Sequence, residues 1–303
     1  MNKNQLGSSD LYVSEIGFGS MSLPQNEKEA IYLVEKAIDE GINFIDTADL
    51  YDFGRIEEVL GKALKGKREK VILTTKAGNH WEPGRDGWYW DPSKAYIKEA
   101  VKKSLMRLKT DYIDLYQLHG GTIDDPIDET IDAFEELKQE GVIRHYGISS
   151  IRPNVIREYV KRSTIVSVLM QYSILDRRPE EEMLALLKEN NISVIARGPV
   201  AKGILSDGGL DKISDRGFLD YNKDELQQLF GEYKKASDPN RSLSQTAIRY
   251  CLSHPAVASA IPGASKESQL LENVNTVNTP ELSSDELKAI HNLSKANTYK
   301  QHR

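Results

Sequence analysis

Short apolar runs alternate with longer amphipathic stretches along nearly the whole chain, and that alternation leaves few folds open. The runs near Ile16–Phe18, Asn43–Asp46, Val71–Lys76, Tyr112–His119, Ile143–Ser149, Val166–Tyr172, Ser193–Ala196 and Val257–Ile261 are mostly continuous, as expected of strands covered on both faces. Helical period fills the intervals. One stretch sets Ile97, Val101, Leu105 and Leu108 on one face, opposite Lys98, Lys102 and Lys109. About eight strands, each followed by a helix, predict an α/β chain whose 303 residues form a single (β/α)8 TIM barrel of parallel strands. An open doubly wound sheet is the alternative. Against it, Gly17-Phe18-Gly19-Ser20-Met21 lacks the third glycine of a dinucleotide-binding turn.

Local punctuation agrees with this frame. Asp91-Pro92 and Asp125-Pro126 read as carboxylate N-caps followed by proline. Ser283 to Glu286 has capping-box spacing, and Gly41, Gly66 and Gly141 stand where helices need a left-handed end. Two connections are long: Ala77–Asp91 after the third strand, and Lys202–Arg241 after the seventh, with a helix expected near Lys223–Lys235. Both follow carboxyl ends of strands, the face on which barrels build active sites. Residues 4–14 predict a small N-terminal β-hairpin plugging the opposite end.

Composition narrows the function. With 39% hydrophobic residues the chain can bury a full core, and its net charge of −6 argues against a globally basic nucleic-acid surface. No apolar run approaches a signal peptide or a membrane span. Cys251 is the one cysteine; it sits in a helical pattern, reads as a packed core residue, and suits a reducing cytoplasm. The six histidines are scattered without ligand spacing, so no metal is implied.

Polar residues that end buried strands are the informative anomaly. Asp46, Lys76 and His119 close three successive runs, and in a barrel those ends share one rim. Tyr51 lies five residues past Asp46, close enough to fold back over the same mouth. A tyrosine titrates near pH ~10 and donates protons poorly at neutrality, but an adjacent ammonium favours its phenolate. The ammonium needs a counter-charge, which Asp46 supplies, and a histidine opposite can orient an oxygen-bearing substrate. Taken singly, each has a bland reading: a buried acceptor, a snorkelling lysine, a core histidine. Three consecutive strand ends make coincidence a poor explanation. Asp114, inside a strand, reads as structural.

These residues belong to a set of motifs that resembles the aldo-keto reductase family over essentially the whole chain. Ile16 to Met21, Gly41 to Ala48, Asp114 to His119, Gly147 to Ser150 and Ile261 to Ser265 carry the resemblance. It implies a TIM barrel without a Rossmann domain, binding NADPH (NADP) in extended form across the carboxyl end. It implies reduction of aldehydes or ketones by hydride transfer, with the tetrad Asp46, Tyr51, Lys76 and His119 and Tyr51 as general acid. By the same resemblance Gly19, Ser20, Met21 and Asp46 border the cofactor, and Ser149 and Gln171 hold the nicotinamide carboxamide. Gly198, Val200, Lys202 and Gly203 approach the pyrophosphate. Gly263, Ser265, Lys266 and Gln269 face the adenosine 2′-phosphate at a helix start, and Glu272 and Asn273 face adenine.

Three departures stand out. Ser150 replaces a usual asparagine and serves equally well as a helix cap. Gln269 stands where many relatives have arginine, although the potassium-channel β-subunit branch carries glutamine in a similar run. Arg197 stands where most relatives stack an aromatic ring on the nicotinamide; its charge disfavours a cationic ring or attracts an anion. The loop after the third strand holds all three tryptophans. His80, Trp81 and Trp88 are expected to line the substrate pocket, with Trp90 the weaker candidate; a mini-core packing the loop down is the competing reading. Two other functions stay open here: an aldolase using Lys76 as a Schiff-base nucleophile, and a cofactor-bound regulatory protein. A monomer acting on a small-molecule carbonyl substrate, without nucleic-acid or membrane partners, is the expectation.

Overall fold

The structure, a computed structural model, describes all residues except Pro83 and Arg85. An antiparallel hairpin, β1 (Lys3–Gln5) and β2 (Tyr12–Ser14), comes first. Eight parallel strands follow: β3 (Phe18–Gly19), β4 (Phe44–Asp46), β5 (Ile72–Ala77), β8 (Ile113–Leu118), β9 (Ile143–Ser149), β10 (Ser167–Gln171), β11 (Ser193–Arg197) and β12 (Val257–Ile261). They pair in sequence order, and the sheet's two ends meet through parallel bridges between Ile16 and Ala260 and between Gly19 and Gly263. Helices between the strands cover the outside, so the expected TIM barrel is the observed one.

Two apolar layers result. Outside the sheet, helix faces such as Ile97, Val101 and Leu108 bury against strand residues such as Tyr116 and Ile148. Inside, Phe44, Leu115, Leu169 and Ile195 form a compact cluster with Leu6, Leu11 and Val13 of the hairpin. The hairpin closes the amino-terminal mouth, where Gly7 N donates to Ser193 Oγ at 2.7 Å. The carboxyl-end mouth, on the other side of the barrel, stays open. Asp114 is structural, as expected: Arg68 and Arg144 pair with it, and the Leu73 amide donates to it at 2.9 Å.

Both long loops acquire structure of their own. The first contains a short hairpin, β6 (Asn79–His80) with β7 (Tyr89–Trp90). The second contains the helix Lys223–Ala236, which starts with a capping box between Asn222 and Glu225. The predicted capping box at Ser283 and Glu286 forms, Gly41, Gly66 and Gly141 have positive φ, and Cys251 is fully buried. Two caps need correction. Ser93, not Asp91, caps the helix Lys94–Leu108 by accepting from Tyr96 N; Asp91 instead accepts from Ser93 N. Asp125 caps nothing, because its carboxylate is taken by Thr122 and by Trp90 Nε1.

Candidate active site

Parallel strands deliver their last side chains to one rim, and the structure brings the four expected residues together there. Lys76, on β5, is fully buried. Its Nζ donates to the Asp46 carboxylate at 2.8 Å and to the Thr47 carbonyl at 2.6 Å, and Tyr51 Oη stands 3.5 Å away, the outer limit of a hydrogen bond. Tyr51 reaches this point because the chain after β4 folds sharply back. Thr47 N and Asp49 N bond to β5 carbonyls, and Asp52 and Phe53 adopt left-handed φ of 49° and 48°. Such a conformation costs about 1–2 kcal/mol per non-glycine residue, and an ion pair between Asp52 and Arg55 accompanies it. His119 closes β8 and meets the Tyr51 ring edge-on, centroids 5.8 Å apart.

Electrostatics separate the roles of these groups. Burial works against the Lys76 ammonium, but the Asp46 carboxylate and the Tyr51 oxygen together outweigh it and hold the amine above its ordinary value. Burial likewise pushes the Asp46 carboxyl up, with Lys76 and then Arg197 pulling the other way. His119 is pushed down to about 3, by burial first and then by the charges of Lys76 and Arg197. At neutral pH the rim therefore presents a charged amine behind the Tyr51 side chain, beside a neutral imidazole. That set can donate hydrogen bonds to a carbonyl oxygen and pass it a proton from Tyr51.

The rim opens into a cavity of about 1100 Å³. This lies at the upper end of the roughly 300–1,000 Å³ typical of ligand pockets, and the lining runs from the reactive rim to the segments after β11 and β12. Gly19, Met21, Asp46, Tyr51 and His119 form its reactive end; Ser149, Gln171 and Arg197 bring in the ends of β9, β10 and β11. Gly198, Val200, Lys202 and Gly203 continue the wall, and a Cβ built on Gly198 meets no protein atom within 4 Å. Gly263, Ser265, Gln269, Glu272 and Asn273 also line it, with Ser265 N donating to Gln269 Oε1 at 2.9 Å. Ser150 lies on the wall and its Oγ accepts from Arg152 N at 3.2 Å, but Arg152 itself is the N-cap of the helix Pro153–Arg162 and no side chain caps that helix, so the helix-cap reading does not hold.

Besides the fully buried Lys76, four expected site residues stand off this wall. Ser20 is buried, and its hydroxyl donates to the Asp46 carbonyl at 2.8 Å, tying β3 to β4. Lys266 is exposed at the start of the helix Glu267–Asn275. His80 is stacked between Tyr89 and Tyr96, at 4.6 and 4.1 Å, with Asp91 at 3.2 Å from Nδ1. Trp81 packs against Phe53 and the Arg107 guanidinium. These two serve the mini-core reading. Trp88 and Trp90 line the cavity instead. Trp90 lies where a Cβ on Gly78 would come within 2.6 Å of its ring and one on Gly120 within 3.1 Å, and its Nε1 donates to Asp125 at 2.9 Å. Arg152, Asn79, Lys212 and Phe218 also reach the wall. The sequence carried no local signal for them, since each lies in the short elements or turns of a connection whose course depends on distant partners. Among the described residues no group of three His, Cys, Asp or Glu side chains is placed to hold a metal ion, and no helix is long and apolar enough to cross a membrane.

Comparison with known proteins gives a consistent picture. The family model described as aldo/keto reductase matches residues 15–295. The uncharacterized oxidoreductase YqkF of Bacillus subtilis is 58% identical over 307 residues, covering 100% of both chains. The NADH-specific methylglyoxal reductase of Escherichia coli is 32% identical, covering 92% of this chain and 94% of that protein. Among solved structures, the holo form of aldo-keto reductase AKR11C1 from Bacillus halodurans superposes with a TM-score of 0.95 at 58% identity, covering 100% of this chain and 99% of that one.

Proposed function

Because the chain belongs to the aldo/keto reductase family, oxidoreductases that act on carbonyl compounds with nicotinamide cofactors, we propose that it reduces aldehydes or ketones to alcohols using NADPH, with Tyr51 as general acid. The observation that carries this reading is the Tyr51 hydroxyl 3.5 Å from a fully buried, Asp46-paired Lys76 at the mouth of a cavity of about 1100 Å³.

The residues on the wall fit an extended dinucleotide. Ser149 and Gln171 would hold the carboxamide; Gly198, Val200, Lys202 and Gly203 the pyrophosphate; Ser265 and Gln269 the adenosine 2′-phosphate; Glu272 and Asn273 the adenine. When bound, the dinucleotide contributes a hydride to the carbonyl carbon. The chain's own part is to polarise the carbonyl oxygen between Tyr51 Oη and neutral His119, and to release the Tyr51 proton to that oxygen as negative charge develops. Lys76 stabilises the phenolate left behind. The Arg197 side chain has no hydrogen-bond or ion-pair partner among the described residues, and its charge already reaches Asp46 and His119. We read it as disfavouring an oxidised, cationic ring.

Aldolase chemistry finds no support here. A Schiff-base lysine needs an accessible amine with a lowered pKa, whereas Lys76 is buried and held above its ordinary value. The reading extends to a monomeric cytoplasmic enzyme acting on small molecules. The test is nicotinamide oxidation against a panel of aldehydes, with NADPH and NADH compared. Tyr51→Phe should lose about 10²–10⁴-fold in turnover; full retention would remove Tyr51 as the proton donor.

A further inference from the structure

We propose that Arg152 reads an anionic group on the substrate, so that the preferred carbonyl compounds are those bearing a carboxylate a short rigid spacer from the reacting carbon. This deepens the reductase reading and rests on it. Arg152 follows β9 by three residues and lines the cavity beside Trp88, Trp90 and Gly120–Thr122. Its Nη1 donates to the Gly121 carbonyl and its backbone N to Ser150 Oγ, which fixes the side chain between the ends of β8 and β9. Gly121 is two residues past His119, a span of at most ~7 Å. The guanidinium is therefore held within roughly one small molecule's length of the reacting oxygen.

Charge makes the placement informative. Among the described residues, no carboxylate lies within ion-pair distance of Arg152. A half-buried guanidinium ordinarily finds an acid, as Arg68, Arg107 and Arg178 do here. One bond to a carbonyl leaves most of the planar fork unused, and that fork matches a carboxylate in two-point geometry. Asp46 cannot serve it, because Lys76 already occupies it. The other carboxylates on the wall, Asp207 and Glu272, belong to the segment after β11 and to the helix Glu267–Asn275. Trp90, pinned by Asp125 and flanked by Gly78 and Gly120, supplies a flat apolar wall to the cavity that Arg152 also lines. A planar spacer between carbonyl and anion suits that wall.

The test compares para-carboxybenzaldehyde with the methyl ester of the same acid. Wild-type enzyme should favour the charged aldehyde in kcat/KM by about 10- to 100-fold, the range of one charge-assisted hydrogen-bonded contact, chiefly through KM. Arg152→Gln should bring the ratio of the two substrates close to one, Arg152→Lys should restore part of it, and added salt should shrink it in the wild type. Equal use of acid and ester by the wild type, or an unchanged ratio in Arg152→Gln, overturns the proposal while leaving the reductase reading intact. Loss of the reductase reading itself would show as no oxidation of either nicotinamide cofactor with any aldehyde. A readout independent of turnover is tryptophan fluorescence titrated with benzoate and with neutral benzamide. Tighter binding of benzoate than of benzamide in the wild type, with the difference abolished in Arg152→Gln, supports the subsite; equal binding of the two, or a difference unchanged in Arg152→Gln, overturns it.

Discussion

Replacing Asp46 by Asn removes one charge from a pair whose side chains are 0% and 4% exposed for Lys76 and Asp46. At 2.8 Å and an effective dielectric near 20, the lost Coulomb attraction is about 6 kcal/mol. Relaxation and retained bonds from Lys76 to Thr47 O and Tyr51 Oη recover part of it, so the expected loss of stability at pH 7 is about 3–5 kcal/mol, the usual consequence of stranding one member of a buried pair. The pH dependence has a definite sign. Lys76 in the native protein is held above its unfolded value, so its contribution is fully present below pH ~10.4 and is lost as pH rises through the folded value. In Asp46→Asn the stranded ammonium is disfavoured, and the deficit is largest near neutrality and shrinks as alkali deprotonates the unfolded chain too. Urea unfolding of both proteins at pH 7 and pH 10.5 measures this. The double variant Asp46→Asn with Lys76→Met should recover most of the loss, because it buries no unpaired charge. A deficit below about 1 kcal/mol, a deficit independent of pH, or a double variant no more stable than Asp46→Asn would refute the reasoning.

Other outcomes follow from the same geometry. Because His119 is held near 3, its ring resonances should not titrate between pH 5 and 8 by NMR. Each unit of acidification below ~6.5 should withdraw about 1.4 kcal/mol of stability through this group until it protonates in the fold; a normal titration curve would contradict the assigned environment. Gly78→Ala puts a methyl 2.6 Å from the Trp90 ring at φ +130°, so it should destabilise by at least about 2 kcal/mol and raise KM for aromatic aldehydes, read by urea unfolding and steady-state kinetics. Arg197→Trp should tighten NADP⁺ relative to NADPH, measured by titration of both; unchanged affinities together with unchanged substrate preference would discard the charge argument.

Much of the site was legible before any coordinates. Asp46, Lys76 and His119 could be placed together from chain position alone, because each ends an apolar run, and parallel strands in one sheet point their last residues to one side. Tyr51 was legible as a loop residue near the same mouth, although only the left-handed turn at Asp52 and Phe53 shows how it folds back. The third-strand loop was not legible in detail. His80 is nearer than Trp90 to the end of β5, yet Tyr89 and Tyr96 stack on His80 and withdraw it, whereas Asp125, 35 residues away, holds Trp90 on the cavity wall. Asp125 was misread as a cap for the same reason: its partners Trp90 and Thr122 outcompeted a helix end.

The amino-acid order alone determined the barrel, its one open mouth and the residue types on that rim. These follow from rules that act within a strand or a helical turn: apolar period, backbone pairing and chain direction. Tertiary structure alone decided which loop side chains face the ligand space, that Ser20 ties two strands together, and that Arg152 stands on the wall without an acid partner among the described residues. Those outcomes depend on contacts between segments far apart in sequence, and no local pattern records which of several polar neighbours wins a given donor.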